Sequence, residues 1–131
     1  MTIEDAQNLI EANPDCYWGF RTVAEDAYNV GDVITERSKS WHDIFDSTLT
    51  DEEIEELEDR GQVEGSSYWV DELSGVCATD VSDFSTAADA LEFNRRFYCG
   101  PVVYLIASKR AEIGEDEHEI IMTTPEVVAK F

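Results

Sequence analysis

Carboxylates dominate the chemistry this sequence could perform, and they gather in two places. In residues 50–60, Glu52, Glu55, Glu56 and Asp59 recur every three or four positions beside Asp51, Glu53 and Glu58. Residues 109–119 carry Glu112, Glu115, Asp116, Glu117 and Glu119 around Gly114. Side chains in such runs could hold a hard cation, or stand where phosphates stand and engage a basic groove. The second run lacks the alternating Asp or Asn, central Gly and closing Glu of a calcium loop, so a solvated turn without metal is expected.

Other reactive types give less. His42 has no second ligand at metal spacing nearby and reads as a packing or surface residue. His118, on a strand between Glu117 and Glu119, would point away from both and so make a poor base. Cys16, Cys77 and Cys99 are odd in number and form no Cys-x-x-Cys pair, which predicts free buried thiols in a reducing compartment. Only Arg95 and Arg96, close to Cys99, could activate one of them. A Gly-rich phosphate loop, a Gly-x-Ser-x-Gly elbow and a His-Glu-x-x-His pair are all missing, so no catalytic residue is assigned on pattern and no cofactor is expected.

The elements that must carry these residues follow from periodicity. Thr2, with Asp5 three residues on, caps a helix over 3–12 whose apolar face is Ile3, Ala6, Leu9 and Ile10, and Asn13-Pro14 stops it. Residues 16–22, dense in aromatics, suit a strand in which Gly19 marks a bulge or a close backbone approach. Residues 30–34 read as a turn entering a second short strand. Residues 40–45 read as one helical turn with Trp41, Ile44 and Phe45 inward. Thr50 and Glu53 form a capping box for a helix over 51–60 that Gly61 ends. A polar connector over 62–67 precedes strands at 68–70 and 76–81. Ser85 or Thr86 caps a helix to about Tyr98 that packs through Ala90, Leu91, Phe97 and either Phe93 or Asn94, with Arg95 and Arg96 favourable at its end. Residues 102–107 and the apolar run after 119 then pair as a hairpin across the anionic loop, and 127–129 add a last strand. The expectation is an α+β fold: a single small domain over 1–131, an antiparallel sheet with two or three helices and a C-terminal β-hairpin.

Charge bounds the partners. Thirty Asp and Glu against nine Lys and Arg give a net charge of -21 on 131 residues, of which 43% are hydrophobic. That apolar content can offset the entropy of ordering the chain, so it folds. The compact chain would measure about 36 Å across, and duplex DNA, at one charge per about 1.7 Å, carries about the same charge over that length. Such a surface repels nucleic acid and membrane headgroups and attracts basic grooves. With no run of eighteen apolar residues and no basic flank at Met1-Thr2-Ile3-Glu4-Asp5, a soluble cytoplasmic protein is expected.

In charge and size the chain resembles the small acidic DNA-mimic proteins that phages and mobile elements use against restriction or CRISPR systems. That likeness implies a non-enzymatic inhibitor whose partner is a basic nucleic-acid-binding protein, met through Glu52, Glu55, Glu56, Asp59, Glu115, Asp116 and Glu117, without direct nucleic-acid or membrane binding. Separately, Arg21 on an early strand, Cys77-Ala78-Thr79 on a central one and Glu117-His118-Glu119 at a late one resemble the arginine, Ser-Thr-Ser, Glu-x-Glu order of ADP-ribosyltransferases. That resemblance implies Arg21 on the dinucleotide phosphate, Thr79 orienting the nicotinamide ribose, and Glu119 supporting an oxocarbenium-like transition state. Thr22 stands where that family usually has glycine, and the middle serine is replaced. An acidic housekeeping domain without a charged partner is the third expectation.

Overall fold

A computed structural model describes all residues, 1–131, and the chain divides into two compact units, residues 1–36 with 75–131 and residues 37–74. The first unit is built on a six-stranded antiparallel sheet. Its strands are β1 (Tyr17–Thr22), β5 (Val76–Asp80), β6 (Val103–Ser108), β7 (Ala111–Ile113), β8 (Glu119–Met122) and β9 (Glu126–Lys130), in the order β7-β8-β5-β1-β6-β9. Helix α1 (Ile3–Ala12) starts at Thr2, whose hydroxyl accepts from the Asp5 amide while the Asp5 carboxylate accepts from Thr2. Helix α3 (Ala87–Phe97) is capped by Thr86 and carries Arg95 and Arg96 in its last turn.

Strand alternation sorts the core into two faces. Trp18, Phe20, Val103 and Leu105 face the helices, joining Ala6 of α1 and Ala87, Ala90 and Leu91 of α3. Tyr104, Ile106, Val76, Ala78, Ile120 and Met122 face the other way and are covered by Ile34 and the half-buried Val23 and Tyr28. Both faces of β6 are therefore buried, which explains its unbroken apolar run. Gly19 permits the close approach that its place in the aromatic strand predicted, since a Cβ there would come within 2.8 Å of Ala78 Cβ. On the second face the Tyr104 hydroxyl donates to Asp26 Oδ1 at 2.6 Å and accepts from the Ala27 amide at 2.8 Å. Burial and then the Asp26 bond raise the Tyr104 pKa, and the Tyr104 and Lys130 hydrogen bonds lower that of Asp26.

The second unit contains most of β2 (Glu36–Asp43), α2 (Asp51–Asp59), β3 (Val63–Glu64) and β4 (Ser67–Ser74), with strand order β2-β4-β3. Its helix is a local product: Thr50 and Glu53 form the full capping box, and Gly61 at φ 72° ends it in the left-handed region. No residue between 37 and 74 is buried. Cross-strand pairs hold the sheet, with Arg37 Nε 2.9 Å from Asp71 Oδ2 and Lys39 over the Trp69 ring.

The α+β class, three helices and antiparallel sheets agree with the sequence, and several local expectations do not. Residues 40–45 form no helical turn, because 36–43 is strand β2; Trp41 is exposed and Phe45 is 84% exposed. Pairing of β2 with β4 in the sheet overrides the helical spacing of Trp41, Ile44 and Phe45. Residues 30–34 make only an isolated bridge, Val33 to Glu126, and the 62–67 connector contains β3. Phe97 is exposed and meets Phe93 ring to ring at 4.5 Å, because the buried stripe of α3 runs Ala87, Ala90, Leu91, Asn94. The hairpin across the anionic loop is β7 with β8; β6 pairs instead with β1 and β9. A sequence reading of two apolar runs around one loop missed the three-residue β7 between them.

Candidate functional site

Strands β1 and β5 pair at only two positions, Gly19 with Asp80 and Phe20 with Thr79. Past Phe20 no ladder joins them, and a cleft of about 220 Å³ opens there, lined by Arg21 and Thr22 of β1, Cys77 and Thr79 of β5, Asn94 of α3 and Glu119 of β8. Arg21 fills the place of the missing ladder bond: its Nη1 donates to the Cys77 carbonyl at 3.1 Å and its Nη2 lies 2.6 Å from Glu36 Oε1. Its Nε is buried with no partner. A buried guanidinium N–H left unpaired is costly, and Glu36 satisfies only the Nη2 half of this edge.

Thr79 is held from both sides. It stands directly across from Phe20 on β1 and from Glu119 on β8, which puts the Thr79 and Glu119 side chains on one face of the sheet. Asn94, 2% exposed, donates through Nδ2 to Thr79 Oγ1 at 2.9 Å and to the Phe20 carbonyl at 3.2 Å, and its Oδ1 accepts from the Thr22 hydroxyl. With Asn94 donating to its oxygen, the Thr79 hydroxyl keeps its own proton to give. Glu119 is shaped by Gly114, whose amide donates to the Glu119 carbonyl at 2.9 Å. A Cβ at Gly114 would sit 2.6 Å from Glu119 Cγ, so a side chain there would move the carboxylate.

The surroundings of Cys77 in the cleft disfavour one chemistry. Burial and then the Glu119 charge raise the Cys77 pKa, which disfavours a thiolate nucleophile. The cysteines are not the buried thiols expected: Cys77 and Cys99 are exposed and Cys16 half-buried, because Cys77 lies on a strand position turned from the apolar face and Cys99 follows the end of α3. His118 also departs from expectation. At φ 63° it is off the strand, with Nε2 3.3 Å from Glu117 Oε1 and Nδ1 3.3 Å from Asp83 Oδ2, against the Phe84 and Phe93 rings.

The carboxylates picked out by charge lie elsewhere. Glu52, Glu55, Glu56 and Asp59 are exposed on α2 in the second unit. Glu115, Asp116 and Glu117 are exposed on the β7–β8 turn of the first. Arg21, Thr79 and Glu119 line the one cleft, Thr79 and Glu119 on the face of Phe20 and Arg21 from the next position of β1, in register with Tyr104; the two acidic groups belong to separate units. Glu36, Thr22 and Asn94 escaped sequence reasoning as functional residues. For Asn94 a signal existed, an amide at the last position of the apolar stripe of α3; for Glu36 there was none.

No protein-family model matches the sequence, and neither a curated protein nor a solved structure gives a significant match.

Proposed function

We propose that the β1–β5–β8 cleft binds NAD at its nicotinamide-ribose end and transfers or hydrolyses ADP-ribose, as a mono-ADP-ribosyltransferase-like enzyme. The observation that carries the reading is convergence. Arg21, Thr79 and Glu119, far apart in sequence, line one cleft from three neighbouring strands, and Thr79 and Glu119 are cross-strand partners. Pockets for drug-sized ligands run to about 300–1,000 Å³, so a cleft of about 220 Å³ suits one half of a dinucleotide, with the rest outside.

In this reaction the bond from ribose C1′ to the nicotinamide nitrogen breaks and its electron pair leaves with nicotinamide. The acceptor, water or a protein side chain, bonds to C1′ and releases a proton. Arg21 would hold a phosphate through its Nε–Nη2 edge, of which Glu36 occupies only Nη2, Thr79 would donate its hydroxyl proton to the ribose, and the Glu119 carboxylate would face the positive charge developing at the ring. Binding would thus be strongest to the charge-separated transition state.

Nicotinamide release from NAD by the purified chain tests this. Wild type should release it, and Glu119→Gln should slow release about 10²–10³-fold, the usual cost of losing one charge-stabilising group. No release by wild type above background would sink the reading.

Helix α2 supports a second reading, the DNA-mimic inhibitor. Seven of its nine residues are acidic and none is buried, with only Ile54 and Leu57 half-buried, so the repulsion between the carboxylates is tolerated for little packing in return. Salt separates the two. Capture of a basic partner through Glu52, Glu55, Glu56 and Asp59 weakens as ionic strength rises, whereas the approach of NAD to a chain of charge -21 speeds up as the repulsion is screened.

A further inference from the structure

We propose that Glu36 is a built-in competing anion that holds the cleft closed to phosphate until a ligand displaces it; the inference rests on the NAD-site reading and adds its regulation. A guanidinium offers a carboxylate or phosphate two parallel N–H groups along its Nε–Nη2 edge. Glu36 takes half of that edge. Its Oε1 lies 2.6 Å from Arg21 Nη2, while Arg21 Nε, on the same edge, is buried and unpaired.

Two consequences follow from that half-made pair. Without ligand, Glu36 neutralises a side chain that is only 18% exposed and would otherwise be a largely buried lone charge. With ligand, a phosphate can use two oxygens, satisfy Nε and replace one contact with two, so the exchange runs toward the ligand. Glu36 is free to leave because its own side chain is 39% exposed and makes no other hydrogen bond or ion pair. It is also the last residue of the first unit and the first of β2. Ligand entry therefore releases the side chain at the point where the chain passes into the second unit.

The test is calorimetric titration of ADP-ribose into wild type, Glu36→Gln, Arg21→Gln and the double variant, with melting curves to verify folding. Removing the competing charge while keeping an oxygen for Arg21 should tighten ADP-ribose binding about tenfold, the scale of one charge-assisted hydrogen bond discounted for solvent. Arg21→Gln should abolish binding in both backgrounds. Unchanged or weaker binding by Glu36→Gln, alongside wild-type binding that Arg21→Gln removes, overturns the gate and leaves the NAD-site reading standing. Absence of binding in both wild type and Glu36→Gln overturns both. Should Glu36→Gln melt early, the Glu36 side-chain carboxyl carbon in wild type is followed by NMR. Its resonance should shift on saturation with ADP-ribose, and a stationary resonance despite binding overturns the gate.

Discussion

The cleft and helix α2 are both lined with polar side chains, yet they are built by opposite means. The cleft draws on four elements and a buried hydrogen-bond network, with Asn94 tying α3 to β1 and β5. Helix α2 draws on its own sequence, with a capping box at Thr50 and Gly61 at its end, in a unit with no buried residue. Positions in the cleft are thus fixed by packing that tolerates little change. Carboxylates on α2 are presented by a helix whose two ends are set locally and whose apolar residues Ile54 and Leu57 are only half-buried. A site needing sub-ångström geometry belongs on the first kind of structure, and a surface needing only charge can use the second.

The largest break in this contrast should come from Asn94→Ala. At about 1–3 kcal/mol for each buried polar group left without a partner, losing the bonds to Thr79, Thr22 and the Phe20 carbonyl should cost about 3 kcal/mol or more in urea unfolding of the first unit. A loss below about 1 kcal/mol would mean that water in the cleft replaces Asn94. Thr50→Ala comes next. Losing the cap should cost about 1 kcal/mol, read as faster amide exchange confined to 51–59 with the cleft unaffected. Spread of the effect into β1 or β5 would show that the cap sustains more than its own helix.

The pH response sharpens the comparison on the side of the sheet away from the helices. Asp26 has its pKa lowered by the Tyr104 and Lys130 hydrogen bonds, so its contribution is present above the ordinary carboxylate value of about 4 and is lost as pH falls below it. Tyr104 has its pKa raised by burial and by Asp26, so its contribution is present below the ordinary tyrosine value of about 10 and is lost as pH rises through it. Stability should fall at both ends in wild type, and Tyr104→Phe should flatten the alkaline limb. An alkaline limb unchanged in Tyr104→Phe would assign that loss to other groups.

What could be read from the sequence tracks this same contrast. Helices α1, α2 and α3 were legible because caps at Thr2, Thr50 and Thr86 and the stop at Gly61 act within a few residues. Strand β6 was legible because both its faces are buried. Its partners were not: pairing with β1 and β9 rather than with the strand across the acidic loop is decided by two core faces made of distant segments. Residues 40–45 misled because Trp41, Ile44 and Phe45 stand at helical spacing, whereas the pairing of β2 with β4 and the Arg37–Asp71 and Lys39–Trp69 contacts exist only in the folded sheet. The cleft was partly legible. The order Arg21, Thr79, Glu119 could be matched to a pattern, whereas Glu36 and Asn94 act only through three-dimensional contacts.

The most direct measurement is an NMR titration of the labelled chain with NAD, following amide and arginine Nε resonances. The account predicts the largest shifts at Arg21 Nε and at the amides of Thr79 and Glu119, with Glu55 and Glu56 on α2 unmoved. Shifts absent from the cleft at saturating NAD, or spread evenly over both units, would contradict it.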